Sequence, residues 1–464
     1  MITMRGLCLL LAAAASGAIA TARATEAMPL QAQPAQLQAA HWIARLPAAS
    51  APLLEATQRA AFNARLLRDD PSMHDLTALP TQLPAAQVRA QILALSAPPS
   101  RTLYDSQGGV LDAARLQALQ RALALDALPA QVQPRYALVV QRADLRRFPT
   151  AERVFSDRDD RDIDRFQESA LYPGTAVAIL HASADGQWLF VLANNYAAWI
   201  ARNHLAEGDR ASVLAYAQRT PRLLVTGARA ATVFTPELPA ASQVALDMGS
   251  ALPLLRGWPP QNSVNGQSPL AAYVVQLPLR DRDGRLHLVP ALIPRSADVA
   301  EAPLPATPQM LLQQAFKFLG ERYGWGNSYD ARDCSGFVVD LHRSLGIELP
   351  RNTGDQARSP ALTAVPYTAT DPLPQRRQAL AQLRVGDLVY IPGHVMLVIG
   401  HEDGQTWVIH DVAGASYRDA AGQVQRVRLN GVSVTPLEPL LLGDGTPFID
   451  RITRIQRLRA PTAE

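Results

Sequence analysis

One thiol and two imidazoles stand out as the groups that could do covalent chemistry. Cys334 lies in Arg332-Asp-Cys334-Ser-Gly-Phe337, His394 in Gly393-His394-Val395, and His410 in Val408-Ile-His410. A thiol attacks a carbonyl when a neighbouring base takes its proton and later returns it to the leaving group. Histidine suits that task because its pKa lies near neutrality, and a third polar group must then fix the tautomer of its ring. Cys334, His394 and His410 supply these types in chain order. Order alone is weak, since a buried structural cysteine or a hydrogen-bonded core histidine meets the same pattern. His342 and His401 fit less well, one inside a helical pattern and the other just before Asp403-Gly404. No close Cys/His pair has metal-ligand spacing, so neither a metal nor another cofactor is expected.

The flanking pattern says what must hold these groups. Phe337, Val338, Leu341 and Leu345 recur at helical spacing, and Gly346 closes the run. Asp333 is a candidate N-cap, which puts Cys334 in the first turn, where the helix dipole and free N–H groups favour a thiolate. Residues 385–391, 394–400, 407–411 and 423–429 read as strands of one antiparallel sheet, with Asp403-Gly404 turning the central pair. A helix over 308–320 precedes them, 361–373 is a Pro- and Thr-containing excursion, and 376–383 is a short helix. Helices followed by a run of strands make an α+β domain.

A chain of 464 residues is too long for one core, so about three domains are expected. Hydrophobic content of 48% and charged content of 18% describe a foldable chain. Net charge is +3 with the basic residues scattered, and no basic stripe alternates with aromatics, which argues against nucleic acid. Arg5, an apolar stretch over 7–20 and Ala22-Arg23-Ala24 read as a secretory leader over 1–24, too short for a membrane span. Its removal takes Cys8 and leaves one thiol in an exported chain, and such an unpaired cysteine points to a reactive group. The mature protein is expected to lack a membrane anchor.

Between leader and catalytic region the texture changes twice. Residues 25–129 are rich in Ala, Leu, Gln and Pro, with helical patterns at 53–67, 87–95 and 110–125. From 130 onward short β-like runs recur, with Asp185-Gly186 and Asp283-Gly284 as turns. They divide into two small SH3-like barrels, 130–215 and 216–300, joined by a short linker to a domain over 305–464.

Tyr323-Gly-Trp-Gly-Asn, Arg332-Asp-Cys334-Ser-Gly-Phe337, Leu349-Pro-Arg-Asn-Thr-Gly-Asp-Gln356, Gly386-Asp387-Leu388, Gly393-His394-Val395 and Val408-Ile-His410 together resemble the NlpC/P60 family of papain-like cysteine peptidases of bacterial walls. Upstream, Asp164-Arg-Phe-Gln-Glu-Ser169, Asp185-Gly-Gln-Trp188 and Asp281-Arg-Asp-Gly284 resemble bacterial SH3 (SH3b) domains behind a helical clip. The resemblance implies that Cys334 is the nucleophile, His394 the general base and acid, and His410 the orienting member. It implies that Tyr323 lies beside the oxyanion site and that Trp325, Asp333 and Ser335 line the substrate pocket. It further implies a periplasmic or envelope-located monomer cutting the γ-D-glutamyl–diamino acid bond of peptidoglycan stem peptides. An amidase acting on the muramoyl–L-alanine bond and an inactive wall-binding scaffold are the alternatives. Relatives that demand a free N-terminal L-alanine carry an aspartate where this chain has Asn352, beside Thr353, so a weaker preference for a free amine is expected.

Overall fold

A computed structural model describes residues 28–368 and 371–458, so the leader predicted for 1–24, with Cys8, lies outside the described residues. The chain combines helices and sheets in an α+β architecture. No described helix is long and apolar enough to cross a membrane.

The N-terminal segment forms helices at Ala56–Asp69, Ala85–Leu95 and Ala113–Ala122. The last stops short of its predicted end, because Ala124 turns left-handed (φ 49°) and starts a separate 3-10 turn, Leu125–Ala127. This segment straps across the catalytic region. Trp42 is 1% exposed and packs on Trp407 with ring centroids 5.7 Å apart. Gly400 permits that contact, since a Cβ there would lie 2.7 Å from the Trp42 ring. Asn63 donates to the Gly346 carbonyl at 2.9 Å and accepts from the Glu348 N–H at 3.0 Å, which fixes the loop after the Cys334 helix.

The first barrel has seven strands: β1 (Arg135–Val139), β2 (Ala143–Arg146), β3 (Gln167–Leu171), β4 (Ala176–Ala182), β5 (Trp188–Leu192), β6 (Ala197–Ala201) and β7 (Leu205–Gly208). Their order is β7-β1-β4-β5-β6-β2-β3. Alternate residues point to opposite faces, so one face packs Val177, Ile179, Leu189 and Val191 together while the other meets the N-terminal helices. Residues 216–300, read from sequence as a second small SH3-like barrel, are not one continuous sheet. Three sheets, among them the hairpin Ala272–Arg280/Leu286–Pro294, share one core of Leu223, Leu246, Leu252, Val275 and Ile293. One short strand is Arg229–Ala231, and Phe234, just before Thr235-Pro236, is 68% exposed.

The C-terminal domain packs the helices Pro308–Phe316 and Cys334–Ser344 on a six-stranded sheet. Its strands are β8 (Thr363–Pro366), β9 (Leu388–Ile391), β10 (His394–Glu402), β11 (Gln405–Val412), β12 (Gly431–Pro436) and β13 (Arg454–Arg457), in the order β8-β13-β9-β10-β11-β12. Asp403 (φ 50°) and Gly404 (φ 73°) make the two-residue turn between β10 and β11. The expectation of a sheet strand at 423–429 is corrected here. Val424–Val427 pairs with Ala415–Arg418 in a separate hairpin, and β12 takes the place beside β11. The reason is burial: Val424, Gln425 and Arg426 are exposed, whereas β12 buries Val432 and Val434 in the core. The 361–373 excursion likewise contributes an edge strand, β8, paired to β13.

Candidate active site

Cys334 is the first residue of its helix, and the Asp333 carboxylate caps that helix by accepting from Gly336 N–H at 2.7 Å. The helix is gripped from behind. Asp340 accepts from Tyr172 Oη of the first barrel at 2.7 Å and from Arg332 Nε at 2.8 Å. Arg332, wholly buried, also pairs with Glu321 at 2.8 Å and with Asp247 of the middle segment at 3.1 Å.

His394 opens β10 directly after Gly393, in the tight β9–β10 turn where Ile391 pairs with His394. The Cys334 Sγ lies 4.0 Å from the Gly393 carbonyl oxygen and 3.6 Å from Thr353 Oγ1. His394 Nε2 is 2.8 Å from Nδ1 of His410 on β11, and His410 Nε2 is 3.0 Å from Thr435 Oγ1 on β12. When Thr435 accepts from His410 Nε2–H, His410 Nδ1 accepts from His394 Nε2–H, which leaves the His394 Nδ1 lone pair as the free base. Thr435 was not singled out from sequence. Its signal was the alternation of 431–436, which puts Ser433 and Thr435 on one face of the strand, with Ser433 in register with His410.

Electrostatics depart from the simple helix-dipole expectation of a preformed thiolate. Burial, and next the Asp333 charge, push the Cys334 thiol up to about 12. Burial pushes His394 down to about 4, with Asp333 partly opposing, and drives His410 well below the usual imidazole range. Both charged forms are disfavoured, so the resting pair is a neutral thiol and a neutral imidazole. Desolvation outweighs the dipole because the sulfur sits among residues that exclude water.

A cleft of about 470 Å³ opens above the sulfur, and its walls come from three parts of the chain. Tyr323, Trp325, Asp333, Ser335, Asn352 and Thr353 all line it. Burial, followed by the neighbouring Cys334 and Asp333, holds the Tyr323 phenol well above its usual range, so it stays a neutral donor. Trp325 Nε1 donates to the Gln167 carbonyl of β3 at 3.2 Å. The same loop has left-handed Gly326 (φ 58°), whose Cβ position lies only 2.9 Å from Gln167, so glycine is required there. Asn352 Nδ2 donates to Asp355 at 3.1 Å.

Arg351 joins these walls. It is 4% exposed and donates to Asp333 at 2.9 and 3.1 Å, to Ser335 Oγ at 2.9 Å, to Asn327 Oδ1 at 2.9 Å and to Ser169 Oγ of β3 at 2.7 Å. Asp333 and Ser335 are therefore held on the Arg351 fork. Arg351 stands in the Leu349–Gln356 motif, and its role is not legible there because its partners are remote in sequence. Glu168 of β3 also lines the cleft; burial raises its carboxyl, and Tyr196 Oη donates to it at 2.6 Å.

Residues 320–433 match the model of the NlpC/P60 family, and residues 153–201 match the SH3 domain (SH3b1 type). No curated protein matches the chain. Among solved structures, an NlpC/P60 endopeptidase from Photobacterium damselae subsp. piscicida superposes with a TM-score of 0.71 at 16% identity, over 93% of this chain and 96% of that one. An NlpC/P60 family protein from Bacillus cereus covers 70% of this chain and 100% of its own, at 20% identity and a TM-score of 0.44. The chain thus carries an NlpC/P60 domain with the fold of that family, preceded by an SH3b-type domain.

Proposed function

We propose that this protein is an exported, monomeric cysteine peptidase of the periplasm or cell envelope that hydrolyses the γ-D-glutamyl–diamino acid bond of peptidoglycan stem peptides. The observation that carries this reading is the relay from Thr435 through His410 to His394, beside a helix-capped cysteine at the floor of a cleft.

Sγ of Cys334 bonds to the γ-carbonyl carbon of D-glutamate as its proton passes to His394 Nδ1. The carbonyl electrons move onto oxygen, where N–H groups of the helix's first turn and the Tyr323 hydroxyl are the available donors. The C–N bond then breaks, and His394 returns the proton to the leaving amine of the diamino acid. Water, deprotonated by His394, cleaves the thioester; the C–S bond breaks and the thiol regains its proton. Because thiol and imidazole are both neutral at rest, each proton passes through His394, from the thiol to the leaving amine and then from water back to the thiol, and the imidazolium forms only while an oxyanion balances it.

The substrate's N-terminal ammonium needs a carboxylate. Asp333 and Glu168 are the carboxylates lining the cleft, and Asp333 is committed to Arg351. Glu168 is therefore the group we assign to the ammonium, with Asn352 as a neutral wall residue near Tyr196. This revises the expectation that Asn352 alone weakens amine recognition. Comparing kcat/KM for free and N-acylated peptide tests it: Glu168→Gln should erase a preference for the free amine, and a preference that survives that change places amine recognition elsewhere.

Mass spectrometry of products from defined stem peptides tests the reaction itself. L-Ala-γ-D-Glu and a free diamino-acid fragment are expected. Release of an intact stem from muramic acid identifies an amidase instead, and a folded protein that yields no product is a binding scaffold.

A further inference from the structure

Two walls of the cleft carry guanidinium groups that the reaction above leaves unused. Arg101 comes from the N-terminal segment, Arg147 follows β2, and Arg165 precedes β3. Arg165 lies over the Trp325 ring, its Cζ 5.6 Å from the centroid, and its Nε donates to Ser156 Oγ at 2.7 Å. Arg147 has a buried Nε with no hydrogen-bond partner among the described residues. Arg101 and Arg165 are close enough to repel, with Asp160 a weaker counterweight. No ion pair joins any of the three to a carboxylate among the described residues. Of the acidic groups in the cleft, Asp333 is held by Arg351, and half-buried Glu168 shares its charge with Tyr196 Oη. The cleft therefore holds an excess of positive charge on the side built by the N-terminal segment and the first barrel.

We infer that Arg101, Arg147 and Arg165 form an anion subsite that takes the α-carboxylate of the γ-linked D-glutamate. This deepens the function proposed above and rests on it. In a γ-linked peptide the residue whose side-chain carbonyl is attacked keeps its α-carboxylate free, a few bonds from the reacting carbon. In an ordinary α-linked peptide that carboxylate is consumed by the peptide bond. Arg165 sits on Trp325, which lines the same cleft as Cys334, so the guanidinium groups and the attacking sulfur face one cleft. The subsite thus reads the linkage itself. With Glu168 close enough to feel the Arg147 charge, the cleft offers adjacent places for the substrate's ammonium and α-carboxylate. Arginine suits this task because its planar fork pairs with carboxylates and remains charged at any working pH.

The test uses the full chain and two peptides, L-Ala-γ-D-Glu-diaminopimelate and its counterpart in which the D-glutamate α-carboxylate is a carboxamide. Wild type is expected to prefer the free acid in kcat/KM by roughly ten- to a hundredfold, the range of a charge-assisted contact. Arg147→Gln/Arg165→Gln should cut that ratio below about threefold, chiefly through KM, while Arg165→Lys keeps part of it. An equal rate on both peptides in wild type, or an undiminished ratio in the double variant, overturns the subsite. Calorimetry of the dipeptide L-Ala-γ-D-Glu and its α-amide with Cys334→Ala separates the two claims. Acid-selective binding that falls in the arginine variants, with no stem peptide cleaved, leaves the subsite standing and removes the proposed reaction. Cleavage with no selectivity does the reverse, and failure of both removes both.

Discussion

Arg351→Met removes a charge from the centre of the site while keeping most of the side-chain volume. The guanidinium makes five hydrogen bonds, two of them to Asp333 at 2.9 and 3.1 Å, and only 4% of the residue is exposed. Breaking a buried ion pair by deleting one partner typically costs about 3–5 kcal/mol. Asp333 retains the Gly336 N–H at 2.7 Å and the Gly326 N–H at 3.0 Å, so the lower end, about 3 kcal/mol, is expected. Asp333 also raises the Cys334 thiol, so losing the cation beside it makes the sulfur harder to ionise as well. The measurement is urea unfolding at pH 7 with kcat/KM on the same samples. In a cycle with Asp333→Asn, the double variant should be less destabilised than the sum of the singles by about 1–3 kcal/mol. A loss below about 1 kcal/mol, or strictly additive effects, refutes the claim that this pair sets the site.

Other outcomes follow from the same geometry. His394→Ala should lower kcat/KM by about a thousandfold or more, since it removes the proton shuttle, whereas His410→Asn, which can still hold the imidazole, should cost only about tenfold; equal losses contradict the orienting role. Iodoacetamide should label Cys334 slowly at pH 7 even in active enzyme, because burial holds the thiol near 12 and His394 near 4, and a thiol titrating below pH 7 contradicts the neutral pair. Asp411 is fully buried with neither oxygen hydrogen-bonded among the described residues, and burial raises its carboxyl well above the usual range. Between the unfolded carboxyl pKa and the raised folded value, the folded state binds the extra proton, so this group's contribution falls as pH rises. Asp411→Asn should therefore gain stability over wild type from pH 4 to pH 7 in thermal melts, and a gap that narrows with pH refutes it.

Much of the catalytic region is legible because its signals are local. An Asp-capped helix start, a two-residue Asp-Gly turn and apolar strand runs each depend on neighbours in the chain. Wherever long-range contacts decide, sequence reading falls short. The choice between 424–427 and 431–436 as the partner of β11 turns on which of them buries valines. Arg351 gains its importance from Ser169, Asn327, Asp333 and Ser335, none of them adjacent. The helix dipole at Cys334 can be read locally, whereas the desolvation that raises its thiol depends on everything packed around the sulfur. The arginine wall is hidden for the same reason, since Arg101, Arg147 and Arg165 are far apart in sequence and meet only in the folded cleft.

The central claim is that Cys334 forms a covalent γ-glutamyl thioester. Acid-quenched intact-protein mass spectrometry during turnover of L-Ala-γ-D-Glu-diaminopimelate tests it most directly. The account predicts an adduct of the L-Ala-γ-D-Glu acyl mass localised to Cys334 in wild type, with no adduct and no turnover in folded Cys334→Ala. Turnover by purified Cys334→Ala, or an adduct on another residue, contradicts it.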